Sequence, residues 1–213
     1  MGGQGGSGRR AYHHGDLRAA LVEGALDLIA ETGVEGFSVA EAARRLGVSA
    51  AAPYRHFPDR ESLLAAAASV ATRRLTDRIR TAAAGHPGDP VERLAATAGA
   101  YSRFVIERRA GFDLIFTPGL QDKHGGELRE AIRELMDELL RLAAAASTGD
   151  VQAALDLMEQ HTALAHGYAT LQLGGAFTSR PPHPQGAGAV ADHAVIAARS
   201  LIAGHRRLHA PGA

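Results

Sequence analysis

Apolar residues recur along this chain at spacings of three and four, and no stretch of strand length alternates with period two. Leu17, Leu21, Ala25, Leu28 and Ile29 form the first such stripe, one face of a helix. Glycine, proline and capping residues then cut the pattern into segments. Thr32-Gly33 ends the first helix, with Gly33 placed for a left-handed cap. Ser38, with Glu41 three residues on, has the spacing of a capping box and opens a second helix from Val39 to Leu46, which Gly47 stops. Ser49 is placed to cap a third helix to about His56. Asp59 caps a long fourth from Arg60 to about Ala84. After Gly85-His86-Pro87-Gly88, Asp89-Pro90 reads as N-cap and first-turn proline of a fifth helix to about Glu107. A short helix is expected near Gly111–Phe116. Long ones follow over Glu127–Ala146, Asp150–Leu173 and Ala189–His205, with a Gly- and Pro-rich loop from Gly174 to Gly188. The chain is expected to be all-α, without an internal repeat.

Composition agrees and narrows the function. Hydrophobic residues make up 46% of the 213 and aromatics only 5%, with alanine abundant, which favours close-packed helices over sheets. Lys+Arg and Asp+Glu both number 23, so any nucleic acid must be met by a local patch and not by a global field. The absence of cysteine excludes disulfides, thiolate metal sites and a cysteine nucleophile. No apolar run of ~18 residues and no signal-like start is present, so a cytoplasmic protein is expected, with residues 1–9 a disordered glycine-rich tail. Neither a G-x-S-x-G elbow, a P-loop lysine nor an H-E-x-x-H set occurs, so no enzyme and no cofactor are expected. Eleven histidines raise a metal site. His205 and His209 stand four apart, yet no third ligand follows by spacing, so a solvated C-terminus without metal is expected.

The run from Phe37 to Phe57 carries the chemistry. Ala42, Ala43 and Leu46 can meet Val48 and the base of the next segment, while Gly47 lets the chain reverse. This specifies a helix-turn-helix, whose second helix enters the DNA major groove. Ala50, Ala51 and Ala52 are short enough for the backbone to approach bases. Tyr54, Arg55 and His56 then offer donors, a ring and a cation. Ser38 and Arg60 sit at helix starts whose amides can face phosphates. Residues 9–64 hold seven Arg against eight Asp and Glu, so the case depends on where the arginines point.

Tyr12-His13-His14-Gly15-Asp16-Leu17, the helix-turn-helix, and the run from Tyr54-Arg55-His56-Phe57-Pro58-Asp59 to Leu64 together resemble the DNA-binding domain of TetR-family transcriptional regulators. The resemblance covers about residues 10–68. Tyr101 to Phe104, Phe112 to Phe116 and Ala165-His166-Gly167 resemble a subgroup of that family's regulatory domains, in which Trp often stands where this chain has Thr162. It implies an N-terminal three-helix helix-turn-helix domain (10–68) and a C-terminal helical bundle for ligand binding and dimerisation (69–213). A homodimer on a pseudo-palindromic operator is implied, usually a repressor released by a small molecule. By position, Ser38, Arg44, Tyr54, His56 and Arg60 match phosphate-contacting sites, and Ala40, Ala50, Ala51 and Arg55 match positions near base edges. Ala40 and Ala50 are shorter than in many relatives, so direct readout is expected to rest on Arg55 and Tyr54, with methyl contacts from Ala50 and Ala51. Arg9 and Arg10 on a flexible arm can add contacts.

In the C-terminal part, Tyr101, Phe104, Phe112 and Phe116, with Met136, Met158 and His161 on later helices, are expected to line an apolar effector cavity. His161 and His166, five apart, diverge by about 140° around a helix and are not expected to share one cavity. The last two long helices are expected to pair across a dimer, with Ala153, Ala154, Ala194 and Ala198 letting the axes approach. The alternative is a ligand-independent DNA-binding protein whose C-terminal domain only dimerises.

Overall fold

The computed structural model describes residues 16–109, 112–115, 119–120, 126–177 and 186–210. Among these every regular element is helical: α1 Leu17–Thr32, α2 Val39–Arg45, a single 3-10 turn at Pro53–Arg55, α3 Arg60–Ala84, α4 Pro90–Arg108, α5 Phe112–Ile115, α6 Gly126–Ala146, α7 Val151–Leu173 and α8 Gly186–Leu208. Arg9, Arg10, residues 12–15 and Phe116 lie outside the described residues.

Local chemistry places the helix ends. The Asp16 carboxylate accepts from the Ala19 N–H at 2.9 Å and starts α1. Gly33 ends it at φ 74° and ψ 172°, positive as expected but with an extended ψ that is essentially open only to glycine. Asp59 and Ser62 exchange a full capping box at the head of α3, with the Ser62 N–H donating to Asp59 at 2.7 Å. The box expected at Ser38 is only half made. Its Oγ accepts from the Glu41 N–H at 3.4 Å, while the Glu41 carboxylate is taken by two arginines. A charged guanidinium outcompetes a backbone N–H for a carboxylate. Asp89 and Pro90 open α4 as expected, and α8 is longer than expected at both ends.

One correction concerns the third helix. Residues 49–56 do not form a continuous helix; a 3-10 turn at Pro53–Arg55 replaces it. Proline has no N–H, so Pro53 cannot close a helical bond to the Ser49 carbonyl, which accepts from Ala52 at 3.0 Å instead. The chain then tightens, with His56 and Phe57 both donating to the Pro53 carbonyl at 2.9 Å.

Two apolar cores share the long helix α3. Its first two turns place Leu63, Leu64 and Ala65 to Ala68 in a head core with Leu21, Ala25, Leu28, Phe37, Ala42 and Phe57. Its later turns place Leu75, Ile79 and Ala83 in a body core with Leu94, Phe104, Leu135, Leu157 and Ile202. Each fully buried leucine contributes about 1.5–3 kcal/mol. The head core is not closed by the head alone: Leu114, Leu120 and Leu128 pack into it from beyond α4. Bonds across the seam add to this tie, from Arg18 to Glu127 at 3.7 Å and from Arg74 to Glu23.

The expected dimer alanines are a second correction. Ala153, Ala154, Ala194 and Ala198 are all buried within the subunit. They let α7, α8 and α4 approach one another, which is why no surface is left on them for a second chain. The same close approach appears at Gly99, where an added Cβ would sit 2.7 Å from Val195 Cγ2.

Candidate nucleic-acid interface and regulatory core

The head exposes most of the residues expected to meet DNA. Gly47, at φ 70°, turns the chain out of α2. Pro53 and Phe57 are buried in the head and bracket the three residues between them, so Tyr54, Arg55 and His56 all stand in solvent. Tyr54 is 54% exposed, uncommon for a large ring. Ser38, Ala40, Arg44, Ala50 and Ala51 are exposed as well. Of the nine residues expected to meet DNA, only Arg60 is half-buried.

The cations on this face differ in what already holds them. Arg44 grips Glu41 through two nitrogens, both at 2.7 Å. Arg45 bonds Glu41 at 3.0 Å and Glu31 at 2.7 Å. These guanidinium bonds, from Arg44 first and Arg45 second, hold the Glu41 carboxyl down at about 2. Arg55 makes no ion pair among the described residues. Arg60 turns inward: its guanidinium donates to the carbonyls of Val34 and Phe37, the latter at 3.2 Å, and lies over the Phe37 ring. It therefore clamps the turn between α1 and α2 to the start of α3. Sequence reasoning had no means of seeing these bonds, which span 23 and 26 residues.

His56 also borders a groove of about 380 Å³ with Arg18, Phe57 and Ser62 on one side and residues 126–127 of α6 on the other. The exposed turn thus lies beside the point where the body touches the head.

In the body, Tyr101 and Phe104 are buried in the core, with Met136 and Met158 packed against it and His161 only 2% exposed. Phe112 opens α5. Both histidines of α7 reach α4: His161 Nε2 lies 2.9 Å from Thr97 Oγ1, and His166 Nδ1 lies 3.2 Å from the Tyr101 hydroxyl. Their expected divergence is offset by their partners, which stand one turn apart on α4. Burial pulls the His161 pKa down to about 4. A cleft of about 510 Å³ opens on the neighbouring face of α4, walled by Thr81 and Ala82 of α3, Gly99 and Arg103 of α4, and Asp192 and Val195 of α8. Phe104 lines a smaller cleft of about 110 Å³ with Glu23, Arg74 and Glu107 at the head–body seam. Tyr101, Met136, Met158 and His161 lie in and against the core and not on the walls of these cavities.

The last turn of α8 is only partly solvated. His205 is buried and stacks on His209 with ring centroids 4.2 Å apart.

A compact head exposing a turn of Tyr, Arg and His, tied by one long helix to an all-helical body, is the architecture of a helix-turn-helix DNA-binding transcriptional regulator. Two family models match the chain: bacterial regulatory proteins of the tetR family over residues 21–67, and a tetracyclin repressor-like C-terminal domain over residues 94–198. The chain belongs to the TetR family of transcriptional regulators, which are DNA-binding proteins and not enzymes. A protein of unknown function from Rhodococcus sp. RHA1 is 32% identical, with a TM-score of 0.70 over 92% of this chain and 98% of that one. The TetR-family regulator PfmR of Thermus thermophilus shares the fold at 21% identity, with a TM-score of 0.61 over 86% of this chain and 97% of that one. So does a TetR variant from Acinetobacter baumannii AYE, solved in complex with minocycline, at 18% identity, with a TM-score of 0.60 over 91% of this chain and 98% of that one. No curated protein matches the chain in sequence.

Proposed function

We propose that this regulator is a homodimeric cytoplasmic repressor that binds a pseudo-palindromic operator and is released by an apolar small-molecule effector. The distribution of exposed large hydrophobic side chains carries the reading. There are six among the described residues: Tyr54 in the recognition turn, and Val151, Leu171, Leu173, Ile196 and Leu208 on α7 and α8. Isolated exposed apolar residues are ordinary, but a concentration on two adjacent helices favours a protein interface. The dimer face is drawn from Ala163, Gly167 and Leu171 of α7 and Ile196, Ser200 and Ala203 of α8, with residues 10–68 as the DNA-binding domain and 69–213 as the body.

Arg55 and Tyr54 read bases, with Ala40, Ala50 and Ala51 close to the groove floor; Ser38, Arg44 and His56 meet phosphates, while Arg60, expected among them, braces the head from within. Tyr101, Phe104, Phe112, Phe116, Met136, Met158 and His161 form the effector-binding region. Because α3 belongs to both cores, an effector that favours a different tilt of its later turns changes the spacing of two heads. Its leverage equals its differential affinity for the two states. The test is selection of a duplex from random sequence by the full chain. A symmetric site bound by two chains supports the reading; a single chain on an asymmetric site contradicts it.

A further inference from the structure

The polar atoms between α4 and α7 can be balanced one by one. Thr97 Oγ1 lies 2.7 Å from the Leu94 carbonyl oxygen and 2.9 Å from His161 Nε2. A carbonyl only accepts, so the single hydroxyl proton of Thr97 is donated to Leu94. The Thr97 oxygen then accepts from His161, which puts the imidazole proton on Nε2 and leaves Nδ1 as a bare lone pair. That atom is buried and has no partner among the described residues. Burial keeps the ring neutral, so Nδ1 remains an acceptor at neutral pH.

The neighbouring polar groups of the seam are engaged. The Ser102 hydroxyl donates to the Ala165 carbonyl at 3.0 Å, and the Tyr101 hydroxyl meets His166. No Asp, Glu, Lys or Arg is buried among the described residues, so an ion entering this core would find no counter-charge. Met158, one turn before His161 on α7, is only partly buried, and its unbranched thioether side chain can repack around an entering group. An isolated acceptor in apolar surroundings demands a donor.

We propose that the effector is a neutral, mainly apolar molecule bearing a hydroxyl or N–H, which it donates to His161 Nδ1 in the seam between α4 and α7. This rests on the body being the effector-binding region. Thr97 is a positioning residue: by accepting at Nε2 it fixes the tautomer that keeps Nδ1 bare. An ether, ketone or carboxylate of the same size would set lone pair against lone pair and is rejected.

The experiment uses the full chain labelled with 15N in its histidine rings, with phenol and its methyl ether anisole as probes. Ring spectra at neutral pH, assigned with His161→Leu, are expected to show the His161 proton on Nε2. Phenol is expected to move the Nδ1 resonance and to bind roughly tenfold more tightly than anisole, the worth of one hydrogen bond. In His161→Leu that preference disappears. In Thr97→Val the tautomer is no longer fixed and the preference shrinks. A proton on Nδ1, or equal effects of the two probes, including none from either, overturns the proposal. The effector reading fails separately: phenol seated on His161 that leaves operator binding unchanged upholds the site and removes its regulatory role. Operator release by a molecule that leaves the His161 resonances unmoved keeps regulation and overturns the site.

Discussion

Glu41 holds Arg44 in a two-point ion pair on the exposed face of the head, the face proposed to meet DNA, with both nitrogen–oxygen distances 2.7 Å. The pair occupies the guanidinium edge that would otherwise meet a phosphate, so binding requires an exchange of one anion for another. Glu41→Gln removes the competitor and one negative charge. Affinity for duplex DNA of any sequence is expected to rise several-fold, and the dependence of log K on log salt to steepen by about one. Fluorescence anisotropy over a salt series measures both.

Arg55 has no such partner among the described residues, so its loss is expected to remove only the proposed contacts with DNA. Arg55→Ala is expected to cost about 1–3 kcal/mol of operator discrimination while the thermal midpoint stays unchanged. Gel retardation on operator and scrambled duplexes checks this, and equal retention of specificity would take Arg55 out of base readout.

Arg60→Ala is expected to act first on stability. The guanidinium satisfies two backbone carbonyls, of Val34 and Phe37, and charge-assisted bonds of this kind contribute about 1.5–3 kcal/mol each. Its half-exposed position lowers the expected total to about 2 kcal/mol, read from urea denaturation. Loss of DNA binding with an unaltered urea midpoint would instead mark a phosphate contact without a clamp.

His161 links stability to acid. Its folded pKa of about 4 lies below the unfolded value of 6.5. The neutral ring therefore supports the fold fully above pH 6.5, and that support is lost as pH falls towards 4, because the unfolded chain takes up the proton first. The loss amounts to about 3 kcal/mol. Urea midpoints between pH 7 and 4 should fall more steeply for the native chain than for His161→Leu.

Ile196→Glu and Leu171→Glu place charges where α8 and α7 expose apolar side chains. A protein that sediments as a dimer is expected to become monomeric while its helical circular dichroism persists. A dimer unaffected by both changes would move the interface elsewhere.

The helix boundaries were legible in the chain because caps act within four residues. Asp59 and Asp89 each bond the amides that follow them, and Gly33 and Gly47 take the positive φ their turns require. Helical periodicity likewise announced the all-α class, and the run from Phe37 to Phe57 announced the exposed Tyr54, Arg55 and His56. Pro53 was legible too, yet its effect on the recognition segment depends on a bond to Ser49 that cannot form.

What the residues determined by themselves was therefore everything that depends on neighbours along the backbone: element type, punctuation and the outward face of the head. Only the tertiary structure decided which partner a side chain finds across the fold. It drew Arg60 onto carbonyls 23 and 26 positions away, placed His161 against Thr97, and buried Ala153, Ala154, Ala194 and Ala198 inside one subunit. Periodicity marks a face of a helix as apolar or small but not the helix it meets, and that choice is made when three or more helices close on one core.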